Sequence, residues 1–123
     1  MRVEQVYHPG ALTCEATDTL DVVARKMTDE HVGAFAVLDG NRILGIISER
    51  DLVRAVAEGA DPAVTKAGVL ASRQVETARL DEDIADVARR MLDAGIRHLP
   101  VLRERLVVGV VSMRDLLAVE TRL

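Results

Sequence analysis

Aromatic side chains are almost missing from these 123 residues: there is no tryptophan, and Tyr7 and Phe35 are the only tyrosine and phenylalanine. Any core must therefore be built from Val, Leu, Ile, Ala and Met. The 49% apolar content allows that, and 29% charged residues give a globular profile rather than a disordered one. The shortage of rings also removes the stacking platforms on which single-stranded nucleic acid is held. Positive charge is in short supply too. With 16 Lys and Arg against 20 Asp and Glu, the formal net charge is −4, the wrong sign for a nucleic-acid or anionic-membrane surface. No nucleic-acid partner is expected, and any phosphate site must be local.

Cys14 is the single cysteine, which excludes an internal disulfide and a multi-cysteine zinc site and fits a reducing compartment. Its simplest role is that of a small buried residue. The three histidines show no metal-ligand spacing, so no metal is expected. Residues 1–10 have no apolar stretch after a basic start, as a secretory signal would. The longest strongly apolar run, 106–113, is far too short to cross a bilayer. The composition leads us to expect a soluble, cytoplasmic protein without a membrane partner.

What the chain does have is an internal repeat at a constant offset of 64 residues, without a gap. Thr13 maps to Thr77. The stripe Leu20, Val23, Ala24, Met27 maps to Ile84, Val87, Ala88, Met91, and both follow i, i+3, i+4, i+7, one apolar face of a helix. Val37-Leu38 recurs as Val101-Leu102, Gly45 as Gly109, Ser48 as Ser112, and Arg50-Asp51-Leu52 as Arg114-Asp115-Leu116. Each half reads as strand, helix, strand, strand, helix. Thr17-Asp18-Thr19 and Asp81-Glu82-Asp83 make acidic helix starts that suit the helix dipole. The helices end near His31 and near Gly95, a residue suited to a left-handed cap. Strands follow over 34–38 and 43–47, joined by the turn Asp39-Gly40-Asn41-Arg42, and over 99–102 and 106–111. Closing helices begin after Ser48 and Ser112; the first stops at Gly59, and Asp61-Pro62 marks a linker. The expected fold class is α/β, with repeats over 1–61 and 62–123. About 60 residues bury little surface alone, so the two copies are expected to pack by pseudo-twofold symmetry, leaving two equivalent clefts where small ligands bind.

Gly45-Ile46-Ile47-Ser48-Glu49-Arg50-Asp51-Leu52 and Gly109-Val110-Val111-Ser112-Met113-Arg114-Asp115-Leu116 resemble the closing motif of CBS domains, the module named after cystathionine beta-synthase. Gly95-Ile96-Arg97-His98-Leu99-Pro100-Val101-Leu102 resembles the family's run into its second strand. The resemblance covers nearly the whole chain. It implies a CBS pair that binds AMP, ADP, ATP or a related adenosyl compound between the repeats, forms a homodimer, and serves as a regulatory module rather than an enzyme. It further implies that Asp51 with Ser48, and Asp115 with Ser112, hold ribose and phosphate, that Thr13 and Thr77 lie beside the base, and that Arg97 and His98 meet the phosphates. The first half departs from the pattern, with Gly33 and Ala34 in place of Arg97 and His98 and Ala36 in place of Pro100.

The residues themselves leave two roles open for the closing motif. A carboxylate can accept both hydroxyls of a ribose diol, and a helix N-terminus favours anions. Yet Ser and Asp three apart at a helix start also form a capping box, and the two roles are compatible. Arg97 and His98 read either as phosphate ligands or as a solvated pair before a strand. His8, His31, Met27 and Met91 are given no ligand role. No Gly-x-Ser-x-Gly elbow, P-loop or nucleophile with a matching histidine is present. Equivalent carboxylates in both halves suit duplicated binding sites better than an acid and a base. Without an effector domain in the sequence, an unidentified effector protein is expected to receive the signal. The alternative is a ligand-free CBS-pair scaffold that serves dimerisation or protein interaction. Candidate dimer surfaces are the closing helices, 50–58 and 114–122, or the amphipathic helices, 20–30 and 84–94.

Overall fold

A computed structural model describes residues 1–10, 12–73 and 76–120. In chain order its elements are a 3-10 turn (Val3–Gln5), β1 (His8–Pro9), β2 (Thr13–Glu15), α1 (Leu20–Glu30), β3 (Ala34–Asp39), β4 (Arg42–Ser48) and α2 (Glu49–Ala57). They continue with α3 (Ala67–Leu70), β5 (Ala78–Arg79), α4 (Ile84–Ala94), β6 (His98–Arg103), β7 (Leu106–Ser112) and α5 (Met113–Glu120). The expected α/β class and the strand, helix, strand, strand, helix order of both repeats are present. Arg122, the expected end of the last helix, lies outside the described residues.

The same rules shape both repeats. Leu20, Val23 and Met27 are the buried stripe of α1, and Val87 and Met91 that of α4. His31 (φ 56°) and Gly95 (φ 68°) close these helices in the left-handed conformation. β2 runs parallel to β3, as β5 does to β6, while β3/β4 and β6/β7 are antiparallel hairpins. Backbone pairing carries the strands past the apolar runs that announce them, to Asp39↔Arg42 and Ala34↔Ser48 in one hairpin and Arg103↔Leu106 and His98↔Ser112 in the other. Both hairpins shift register at equivalent places, Val37/Leu38 and Val101/Leu102.

The sequence reading expects the repeats over 1–61 and 62–123. Counted by contact, the chain divides into Thr13–Val75, the first-repeat unit, and Met1–Leu12 together with Glu76–Leu123, the second-repeat unit. The reason is a pair of short covering segments that each repeat draws from upstream or downstream. In the second-repeat unit, the N–H of Val3 donates to Glu82 O (2.9 Å), that of Glu4 to Leu80 O (3.0 Å), and that of Ile84 to Met1 O (3.0 Å); β1 pairs with β7 through His8↔Val110. The first-repeat unit repeats each bond 64 positions along. Ala67 N–H donates to Asp18 O (2.8 Å), Gly68 N–H to Ala16 O (3.0 Å) and Leu20 N–H to Thr65 O (3.0 Å), while Ile46 and Ser72 exchange bonds of 3.1 and 2.9 Å. The stretch after Asp61-Pro62 is thus a structural part of the first-repeat unit, as Met1–Leu12 is of the second. Val3 and Ala67 are both fully buried.

The first-repeat core is built on Leu20, Val23, Phe35, Val37 and Ile47; the second on Val3, Val87, Met91, Leu99, Val101 and Val111. Phe35 is the only aromatic among the fully buried side chains, so the interior is aliphatic, as the composition requires. Among the described residues no helix is long and apolar enough to cross a membrane.

Candidate functional site

Each antiparallel hairpin ends by delivering its last strand straight into the next helix, and the residue at that joint is a serine. Ser48 is extended (φ −119°, ψ 166°) and caps α2. Its N–H donates to Asp51 Oδ2 (2.8 Å), its hydroxyl donates to the same oxygen (3.0 Å), and Asp51 N–H donates back to Ser48 Oγ (3.3 Å). Ser112 and Asp115 repeat the reciprocal pair at 3.0 Å each way. The capping role left open by the spacing is therefore present in both repeats. It engages only Oδ2 of each aspartate. Oδ1 of Asp51 and of Asp115 makes no hydrogen bond among the described residues, and both side chains are half-buried.

The sheet then decides which neighbours these motifs have. His98 lies directly opposite Ser112, and Met113 N–H donates to Arg97 O (2.9 Å). Arg97, His98, Ser112 and Asp115 thus share one end of one sheet. The Arg97 side chain is exposed and makes no hydrogen bond or ion pair among the described residues. In the first-repeat unit Ala34 lies opposite Ser48, and Glu49 N–H donates to Gly33 O (2.9 Å). The backbone is the same and the side chains are not.

Thr13 opens β2 opposite Ala36, and its carbonyl accepts from Lys26 Nζ at 3.5 Å. Thr77 directly precedes β5, and its carbonyl accepts from Arg90 Nη1 at 3.1 Å. Both threonines are half-buried, and neither hydroxyl is hydrogen-bonded among the described residues. Lys26 and Arg90 were not singled out by sequence reasoning, although they match across the repeat. Each reaches from its helix to the strand start and to a carboxylate of the acidic turn, Asp18 at 4.0 Å and Glu82 at 2.9 Å. The signal was a cation eight residues after an anion in both repeats, at positions otherwise read only as helix surface.

A shallow hollow of about 240 Å³ lies in the second-repeat unit, lined by Gln5, Val6, Asp115, Ala118 and Val119. It is smaller than the pockets that enclose a whole nucleotide, but it places Asp115 at an opening beside the covering segment. Cys14 is buried, and burial with the nearby Asp18 carboxylate pushes its thiol up to about 12. Among the described residues no group of three His, Cys, Asp or Glu is placed to hold a metal ion.

Known proteins share this architecture. A putative signal-transduction protein with CBS domains from Burkholderia ambifaria is 25% identical and superimposes with a TM-score of 0.86 over 99% of this chain and 95% of that one. A CBS domain pair solved in complex with 5′-methylthioadenosine and S-adenosyl-L-methionine is 22% identical, with a TM-score of 0.86 over 99% and 97% of the two chains. In sequence, an uncharacterized protein of Methanopyrus kandleri is 32% identical over 121 residues, which is 96% of this chain and 62% of that longer relative. The model of the CBS domain matches residues 3–58 and again 67–121. With both halves matched and the repeated serine-aspartate caps in place, the chain belongs to the CBS domain family, as a tandem CBS pair.

Proposed function

We propose that this chain is a regulatory module that binds an adenosine-bearing ligand, AMP, ADP, ATP or a related adenosyl compound, at its closing motifs and relays its state to a partner protein. One observation carries the reading: at the start of α5, a half-buried carboxylate holds the cap with Oδ2 and has no partner for Oδ1 among the described residues, while Arg97, without a side-chain partner among them, directly precedes the adjoining strand β6. A ribose diol matches the first group and a phosphate the second. The helix N-terminus adds backbone N–H groups that favour negative charge. Thr13 and Thr77, whose hydroxyls make no hydrogen bond among the described residues, are assigned to the base. The related CBS pair bound to two adenosyl compounds supports the ligand class. The same serine–aspartate cap in both repeats favours duplicated binding over acid–base chemistry. A homodimer is part of the proposal, with Val53 and Val56 of α2 (68% and 55% exposed) and Leu117 of α5 (54%) as its apolar surface.

A thermal-shift series with AMP, ADP, ATP, NAD and S-adenosylmethionine tests the reading. A ligand at about 100 times its dissociation constant adds roughly 2.7 kcal/mol of stability. No shift with any of them favours the second reading, a ligand-free scaffold, which the absence of cationic side chains at Gly33 and Ala34 supports for the first repeat.

A further inference from the structure

The two closing motifs share one backbone and differ by two elementary charges at one place. In the second-repeat unit, residue 97 is an arginine and the residue whose N–H it accepts is the neutral Met113. In the first-repeat unit the same pair is Gly33 and Glu49. The Glu49 side chain folds over the glycine: its carboxyl carbon and Oε1 lie 3.5 and 3.6 Å from where a Cβ on Gly33 would stand. A carboxylate thus lies in van der Waals contact with the point from which the Arg97 side chain departs in the other unit. It has no hydrogen bond or ion pair among the described residues, so its charge is not cancelled locally. The adjacent Arg50 and Arg114 stand at matching positions, so the difference in charge between the motifs does not come from them.

A carboxylate in the first turn of a helix has a simple structural use, since it complements the dipole. That use does not account for Glu49. α5 starts from the same serine cap with Met113 at the same position, so this helix start does not require the charge. What Glu49 changes is the field at the place where the other motif presents a cation.

We propose that Glu49 makes the first-repeat motif select against an anionic 5′ substituent, so that it takes an adenosine whose 5′ group is neutral or positively charged, while Arg97 reserves the second-repeat motif for a phosphorylated one. This rests on the reading of the closing motifs as adenosine sites. The two motifs then report on different ligands. The Glu49 charge, several ångströms from the 5′ group in a solvent-accessible site, is worth roughly three- to tenfold in affinity.

The test uses calorimetry with three probes that differ only at the 5′ position: AMP, adenosine and 5′-amino-5′-deoxyadenosine. Asp115→Asn, whose amide oxygen can still accept the Ser112 N–H, leaves the first-repeat motif as the intact one. In that protein the expected order of affinity is the amine, then adenosine, then AMP. Adding Glu49→Gln should strengthen AMP about three- to tenfold and leave adenosine within about twofold. Gly33→Arg with Glu49→Met installs the pair of the other unit, in a space where a Cβ makes only ordinary contacts, and should strengthen AMP further. Equal changes for AMP and adenosine in Glu49→Gln overturn the proposal. So does wild-type binding that vanishes for all three probes in Asp115→Asn. Failure of all three with the wild-type protein instead removes the adenosine reading itself, and this inference with it.

Discussion

Gly45 lies against the carbonyl of Ser72 so closely that a Cβ on the glycine would overlap the oxygen. Gly109 stands in the same relation to the carbonyl of His8, with the Tyr7 ring also in the way. These two glycines let the covering segments come within backbone hydrogen-bonding distance of β4 and β7. Gly45→Ala and Gly109→Ala should each destabilise the protein by at least about 1–3 kcal/mol, the usual cost of overpacking. Gly33→Ala, where the new methyl makes only ordinary contacts, serves as the control. Denaturant melts that fail to separate the three variants would show that the covering segments yield freely.

Much of this was legible in the sequence, and the rest was hidden for a physical reason. The apolar stripes of α1 and α4, the serine-aspartate caps and the hairpins all depend on side chains, so they left a pattern at the 64-residue offset. The covering segments attach mainly through backbone bonds, such as Val3 N–H to Glu82 O and Ala67 N–H to Asp18 O, which almost any residue can make. Their visible trace was Gly45 and Gly109, matched across the repeat but without a partner to explain them. The candidate site was legible as a motif. The neighbour proposed to set its charge, Glu49 beside Gly33, is visible only once the start of α2 stands against the residue that precedes β3.

Because each repeat borrows its cover from outside its own stretch, cutting near Asp61-Pro62 should leave neither fragment stably folded. Residues 1–61 would lose Thr65, Ala67 and Ser72, and residues 62–123 would lose the buried Val3 and the strand β1. Removing residues 1–10 from the full chain should loosen the second-repeat unit selectively. Hydrogen exchange reads this directly: amides of β7 should lose protection while those of β3 keep theirs. A 1–61 fragment that melts sharply as a monomer would contradict the prediction.

His31 occupies the left-handed position that Gly95 occupies in the second repeat. Glu104 (φ 57°) does the same at the turn where the first repeat has Gly40 (φ 62°). A residue with a Cβ is disfavoured there by roughly 1–2 kcal/mol, offset in part by the greater freedom of glycine in the unfolded chain. His31→Gly and Glu104→Gly should therefore raise the thermal midpoint, each by about 0.5–1 kcal/mol in stability. A lowered midpoint would point to side-chain interactions at these positions that outweigh the backbone cost.

Burial raises the Cys14 thiol from its ordinary 9.0 to about 12, which favours the folded state while the unfolded chain also keeps its proton. This contribution is complete below about pH 9 and is lost as the pH climbs toward 12, because the unfolded thiol ionises first. Cys14→Ala should accordingly flatten the alkaline arm of the stability curve. In the native protein, alkylation at pH 8 should be slow and should accelerate in denaturant. Rapid labelling without denaturant would show that Cys14 is reached by solvent in the folded state.

Arg97 and Asp115 meet the same end of one sheet through different bonds, Arg97 through its carbonyl to Met113 and Asp115 through its cap on Ser112. Under the proposed function they act on different parts of the ligand, the 5′ phosphate and the ribose. Hydrogen bonds to charged groups contribute about 1.5–3 kcal/mol, so Arg97→Ala should weaken AMP by roughly ten- to a hundredfold. Adenosine, which carries no phosphate, should be nearly unaffected. Asp115→Asn keeps an acceptor for the Ser112 N–H but loses the charge that holds the diol, and should weaken adenosine and AMP alike at the second-repeat motif. The two substitutions therefore give opposite patterns with the same two probes, and calorimetry separates them. Among the described residues the Arg97 side chain makes no hydrogen bond or ion pair, so its truncation should leave the melting temperature of the ligand-free protein unchanged. Equal losses for adenosine and AMP in Arg97→Ala would refute the phosphate role, since a general loss of folding is checked by that same melting temperature.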